Sequence, residues 1–543
     1  VRAYGAGDGA HAAAAIAAAT AAATPSNNGG GLAWRVGVDK ESLDPSSADL
    51  SSSNFHLGGY GIFPTRQSHS PLVDTDGLPE HLWASAMAVT DPSGHHALLF
   101  CALENQGTFT ADKQGPYGIW DIRQRVAHDL HLGTDSIVVN SDHSHAGPDL
   151  IGLWGGVPVD YLQKVHDQAV LALETAYRKR VPAQLLVGTD IPTIPDPSVG
   201  GYIAGTATVG ENMVHSQFSP DSMTGYDDSA VDTQLRVLQA VDASGGMIGT
   251  LINYAAHATV MGSGNTGYSA DWPGRVARAT EAALGESVAV PMVADVGRSQ
   301  PPRPHSNPTC GQPGQESCDL DQLDTYTKLL TPYVLNAVAT ATPVTGRGIE
   351  NREVMTREAA VNAALVGVSY TGEVPVRGYG AYRSATPPWF SGDVIGTWAS
   401  AHRIGNVLFT AAPGEAYPDV RFGVQKETSG EQAFFTFGLA NDQLGYLIAP
   451  TTEYPWIATS QPGNDNALFN VSPQYGDHLM CTHTALVVEL GFKATGDPAP
   501  YGADAPAPPC AALTATDLIP AGPTPQQPWP FGDGVALPSP FPQ

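Results

Sequence analysis

Two histidines one residue apart, His143 and His145, close the stretch Ser141-Asp142-His143-Ser144-His145-Ala146-Gly147-Pro148. Imidazole is the side chain best suited both to hold zinc and to move protons near neutral pH. The pair follows an apolar β-type run, Ser136-Ile137-Val138-Val139-Asn140, and Gly147 and Pro148 then break the ladder, which predicts a loop at a sheet edge. Period-two alternation sends both rings to one side as far as the extended conformation persists. One could ligate a metal while the other shuttles protons; the alternative is two histidines in a solvated turn.

Three later segments repeat the pattern of an apolar run ending in a residue of ligand type. Met247 to Ala256 leads into His257, Asn406 to Gly414 leads into Glu415, and Gln432 to Ala440 leads through Asn441 and Asp442 to Tyr446. In open α/β sheets the ends of several strands converge on one crevice, so residues far apart in sequence can meet there. Two histidines and a carboxylate make a catalytic zinc shell that leaves room for water.

The elements that must position these residues are legible as alternating strand-like runs and helical patterns between about Trp34 and Phe492, which predicts layered mixed β-sheets flanked by helices, an α/β fold with the metal site at strand ends. Helices are expected over 160–179, 272–284, 322–341 and 417–426. The second is announced by Asp271-Trp272-Pro273, in which Asp271 is assigned to capping rather than to metal. Residues 1–32 have the Ala- and Gly-rich composition of a flexible leader, 33–492 form the main domain, and 493–543 form a Pro-rich tail that should hardly build a sheet.

Against 26 Lys and Arg stand 53 Asp and Glu, a formal charge of −27, so nucleic acid and anionic membrane surfaces are poor partners. No apolar run has membrane-spanning length. Cys310 and Cys318 bracket a turn and could close a small disulfide loop, Cys481 and Cys510 could tether the tail, and Cys101 sits in a strand-like run as a free core thiol. Paired loop cysteines favour an oxidising compartment, and a secreted, extracellular protein is expected. The oligomeric state is left open.

The motifs then reveal a resemblance to the neutral and alkaline, non-lysosomal ceramidases, secreted zinc amidases that split ceramide into sphingosine and a fatty acid. It rests on Trp34-Arg35-Val36-Gly37-Val38, Gly58-Gly59-Tyr60-Gly61, His143 to Pro148, Gly249 to His257, Pro413-Gly414-Glu415 and Gly438 to Tyr446. The resemblance implies zinc held by His143, His257, Glu415 and Tyr446, with His145 beside the metal-bound water. Without it, Tyr446 would be assigned as a packed aromatic. Gln300 stands where the family motif Gly-Asp-x-Ser-Pro places its serine, and Ser299 is one residue away, pointing to the opposite face of an extended segment. The family's second tyrosine has no counterpart around Ile457 to Ser460, and the tail does not match its C-terminal immunoglobulin-like domain.

Together these features predict a zinc-dependent amidohydrolase that cleaves an N-acyl amide bond, ceramide-like or of another N-acyl lipid or amine, with zinc-activated water. His145 would take and return the proton. Arg298 or Gln300 could stabilise the oxyanion, the competing role for Arg298 being a surface ion pair. Asp149 could support a ligand histidine, recognise a substrate amine or simply hold a turn. Trp154 and Tyr454, on Gly- and aromatic-rich loops, are expected at the substrate. A zinc esterase or lactonase would use the same shell, and a non-catalytic secreted binding protein is the remaining alternative.

Overall fold

The computed structural model describes residues 34–494 apart from 61–64, 113, 197–208, 217–230, 286, 311–317, 360–380, 383–393, 450–465, 467–468 and 473, together with 518–520. Two mixed sheets lie face to face, and helices cover their outer faces. The larger sheet runs Val288–Pro291, Met247–Asn253, Leu235–Val241, Val181–Asp190, Trp34–Ser42, Trp83–Thr90, Ala97–Leu103, Ile137–Ser141, with Thr342–Pro343 also pairing to Val181–Asp190. Its outermost pairings are parallel and the inner ones antiparallel. The smaller runs Ala433–Phe437, Val407–Ala411, Val394–Ile404, Ile349–Ala359, Leu518–Pro520.

Strand alternation explains the layering. In Ala97–Leu103, Leu98, Phe100 and Ala102 face the second sheet and pack with Phe409, Phe435 and Phe437. The alternate residues Leu99, Cys101 and Leu103 face the helices Ile119–Leu130 and Val159–Arg178. A strand buried on both faces is apolar throughout, and this one is. Helices Asp271–Leu284 and Asp319–Ala339 cover the other half of the large sheet, while Pro418–Glu427 and Tyr475–Glu489 cover the small one.

The four expected helices are present within a few residues, as Val159–Arg178, Asp271–Leu284, Asp319–Ala339 and Pro418–Glu427. Two were missed. Tyr475–Glu489 is buried along most of its length, so its sequence carries little amphipathic period, and Ile119–Leu130 opens on Gly118 with no side-chain cap. The tail differs from expectation at one point: Leu518–Pro520 adds an edge strand antiparallel to Ile349–Ala359. Its proline is tolerated there because an edge position needs fewer ladder donors.

Cys310 and Cys318 form a disulfide, and Cys101 is free and buried. Cys510, the expected partner of Cys481, lies outside the described residues, as do the leader and Tyr454. Among the described residues no helix is long and apolar enough to cross a membrane.

Candidate metal centre

The ends of the two sheets are clasped by asparagine side chains. Asn253 Nδ2, at the end of its strand, donates to Met292 O (2.9 Å) and Thr436 O (2.7 Å), joining three strands from both sheets. Asn441 Oδ1 accepts from Val139 N (3.0 Å), and Asn441 N donates to Val139 O (2.8 Å). Asn140 Nδ2 donates to Gly438 O. A buried amide replaces the ladder where the strands diverge, so each apolar run reaches the same crevice with its backbone satisfied.

His143, His145 and His257 meet in that crevice, their ligand atoms all within 4.8 Å of one another, and all three are buried. His143 Nε2 lies 3.3 Å from Glu415 Oε2, and His257 Nε2 lies 3.1 Å from the same oxygen. His145 Nε2 is 3.3 Å from His143 Nε2. Ligands about 2.0–2.1 Å from a tetrahedral zinc stand about 3.3 Å from one another, so these separations suit one ion. The remote nitrogens agree: His143 Nδ1 donates to Gln106 O (2.7 Å) and His257 Nδ1 to Ser299 O (3.1 Å), which turns each Nε2 lone pair inward. His145 Nδ1 is buried without a partner, which sets this ring apart from the other two.

Electrostatics follows from the same contacts. Burial alone would raise the Glu415 carboxyl, but His143 and His257 hold it well below the usual carboxylate range. Burial, then the neighbouring His143 and His257, holds His145 well below the usual imidazole range, so it is neutral at pH 7. The His145 ring is gripped by Gly59, where a Cβ would come within 2.3 Å of His145 Cγ, and by the edge-on ring of Tyr60 at 4.8 Å. Glu415 pairs in register with Tyr446 across a short parallel bridge, and the Tyr446 ring stacks 6.4 Å from that of His257. Of the six non-glycine residues with left-handed φ among the described residues, His143, Arg298, Leu439 and Asn441 lie on the loops around this centre, while Asp271 opens a helix and His131 ends one. Such strain persists where surrounding structure enforces it.

A cavity of about 60 Å³ opens beside the imidazoles, lined by the polar Gln106, Gln443 and Tyr446 and the apolar Phe109, Trp154 and Phe469. Trp154, expected at the substrate, lines this cavity. Three other residues singled out in the sequence are placed as follows. Arg298 is off the cavity, 1 % exposed, ion-paired to Asp419 at 3.1 Å and set over the Tyr417 ring. Gln300 Oε1 accepts from Thr259 Oγ1 (2.8 Å), also away from the cavity. The turn at Arg298 (φ 60°) is the reason: it brings the Ser299 carbonyl to His257 and directs the flanking side chains elsewhere. The Asp149 carboxylate accepts from the N–H groups of Gly152, Trp154 and Gly156, the turn-holding alternative the sequence offered. Asp271 has a structural role, but the N-cap is Ala270: Asp271 is the first helical residue, and its carboxylate accepts from Trp272 N and from Met261 N and Val260 N of a neighbouring loop.

Two residues escaped the sequence reading. Gln106 follows the apolar strand Ala97–Leu103, the same signal that marked His143, His257 and Glu415, and Gln443, between Asp442 and Tyr446, donates from Nε2 to Glu415 Oε1 (3.3 Å).

Fold and centre together define a four-layered α/β protein with a buried imidazole and carboxylate cluster at its strand ends. Solved structures share this fold: the neutral ceramidase from Pseudomonas aeruginosa and a ceramidase complexed with C2, each with a TM-score of 0.59 and 16% sequence identity, the match covering 90% of this chain and 78% of theirs. No family model matches the sequence, and none of the curated proteins resembles it in sequence.

Proposed function

We propose that this chain is a secreted, zinc-dependent hydrolase of N-acyl amide bonds. The observation that carries the proposal is the convergence of His143 Nε2 and His257 Nε2 on one Glu415 oxygen, with both remote nitrogens held by backbone carbonyls. Neutral imidazoles, a carboxylate and the adjacent phenol of Tyr446 form a donor set that fits zinc. When bound, the ion supplies Lewis acidity and brings the pKa of water down to about 7.

This chain's own residues do the rest. His143, His257, Glu415 and Tyr446 would hold the metal, and Gln443 fixes the Glu415 carboxylate through Oε1. His145, neutral and pinned between Gly59 and Tyr60, accepts a proton at Nε2 and returns it to the leaving amine. Burial excludes bulk water and strengthens each of these interactions. The shared fold of the two ceramidase structures supports an amide substrate, and the Cys310–Cys318 disulfide supports an oxidising, extracellular setting.

Metal analysis of the purified protein, paired with hydrolysis of matched N-acyl amides and esters before and after chelation, tests the reading. Stoichiometric zinc with chelator-sensitive amide turnover is expected. Faster turnover of esters alone would make it an esterase or lactonase, and zinc without turnover would make it a binding protein.

A further inference from the structure

We propose that Arg298 is a positioning residue for the metal centre: through its ion pair with Asp419 it holds Gly297-Arg298-Ser299 as a tie of fixed length between His257 and Glu415. The inference deepens the hydrolase reading and rests on it for the presence of zinc. It is carried by the contacts at the two ends of that tripeptide.

One end grips His257. The Ser299 carbonyl accepts from the backbone N–H of His257 (2.9 Å) and from its ring Nδ1 (3.1 Å), so the chain and the ring of that residue are both set by a single oxygen. The next residue along, Gln300, accepts at Oε1 from Thr259 Oγ1 (2.8 Å). The other end lies against Glu415. Gly297 N donates to Ala416 O (2.9 Å), and a Cβ on Gly297 would come within 2.5 Å of Glu415 O, an approach that glycine alone permits. Tyr417 N donates in turn to Leu447 O (3.1 Å), the neighbour of Tyr446.

Between the ends stands Arg298 at φ 60°, a conformation that is costly for a residue with a Cβ and persists only where neighbours enforce it. Its buried guanidinium supplies that enforcement, with Nη2 3.1 Å from Asp419 Oδ2 and the group set 5.3 Å over the Tyr417 ring. Both partners belong to the chain that leaves Glu415: Tyr417 is the N-cap of helix Pro418–Glu427, and Asp419 lies in its first turn. The side chain therefore reaches from the segment that orients His257 to the segment that carries Glu415. A buried ion pair adds little net stability over apolar packing, but it selects one arrangement of the groups around it. The arrangement selected here is the 3.1 Å separation of His257 Nε2 and Glu415 Oε2.

The test is a double-mutant cycle read as zinc affinity. The parent, Arg298→Asn, Asp419→Asn and the double variant are stripped of metal and titrated with zinc against a competing chelator, and the urea midpoint of each zinc-free protein is measured alongside. Asparagine tolerates the left-handed turn, so Arg298→Asn removes the ion pair and keeps the backbone path. Each single variant is expected to raise the zinc Kd about 10–100-fold, the usual effect of losing a group that orients a ligand, and the double variant to raise it no further than the larger single effect. A pair that only stabilises the fold would lower the urea midpoint and leave the zinc Kd at the parent value. That result, or single effects that multiply in the double variant, would overturn the proposal. Should Arg298→Asn fail to fold, Asp419→Asn, at a side chain 16% exposed, carries the test alone, and a parent-like Kd there overturns it. Coupled loss of zinc affinity in a protein that turns over no amide would uphold the tie and remove the hydrolase reading, while a parent that binds no zinc would remove both.

Discussion

At the scale of single residues, the centre separates imidazoles braced from behind from one that is not. His143 and His257 each have a carbonyl behind them and a carboxylate oxygen in front, whereas His145 has neither. His143→Ala and His257→Ala should each lose bound zinc and activity together, measured by metal analysis and turnover. His145→Ala should keep most of the metal while activity falls by about 10²–10⁴-fold, the range for loss of a general acid or base. Ser299 offers a sharper contrast. Its hydroxyl is buried without a partner and its carbonyl orients His257, so Ser299→Ala should retain activity within about threefold and leave stability within about 1 kcal/mol. A collapse of turnover in that variant would reinstate a serine nucleophile.

Elements reach the crevice because buried amides and ion pairs join the layers. Asn253→Ala would strip the donor from two buried carbonyls on different sheets, at a cost of about 1–3 kcal/mol for each group left unsatisfied. Urea denaturation should show that loss, and turnover should fall with it because His257 follows the same strand. On the other side, Arg123 of Ile119–Leu130 pairs with Glu353 of Ile349–Ala359, both side chains fully buried, which ties the large sheet's helix to the small sheet. Glu353→Ala leaves that guanidinium uncompensated and should destabilise the fold by about 3–5 kcal/mol, read in the same denaturation experiment.

For the molecule as a whole, the charge of −27 and a set of buried carboxyls act together on its pH response. Burial, then the nearby Asp232, pushes Asp295 up to about 8, and burial pushes Asp442 and Glu104 up to about 7. Each keeps in the folded state a proton that the unfolded chain releases near pH 4. The folded state therefore binds more protons, and stability should fall as pH rises from about 4 to about 8. Melting temperatures measured across that range should decline, and Asp295→Asn should reduce the slope. Zinc should act on the entire fold as well: at a hundredfold excess over its Kd, a ligand specific for the native state adds about 2.7 kcal/mol, so chelation should lower the melting temperature.

Much of this protein was legible in its chain because local chemistry leaves local marks. Apolar runs ending in His143, His257, Glu415 and Tyr446 announced strands whose ends carry polar groups, and period-two burial made those strands recognisable one by one. The four amphipathic helices were legible for the same reason, while the mostly buried Tyr475–Glu489 was not, since a helix surrounded by core has no polar face to mark it. Only the tertiary structure decided that Arg298 and Gln300 turn away from the cavity, that Asp149 fastens a loop, and that Gln106 and Gln443 stand behind His143 and Glu415. Those roles depend on contacts between segments far apart along the chain, and a side chain's partner across such a distance is set by how the layers dock, which no local spacing encodes.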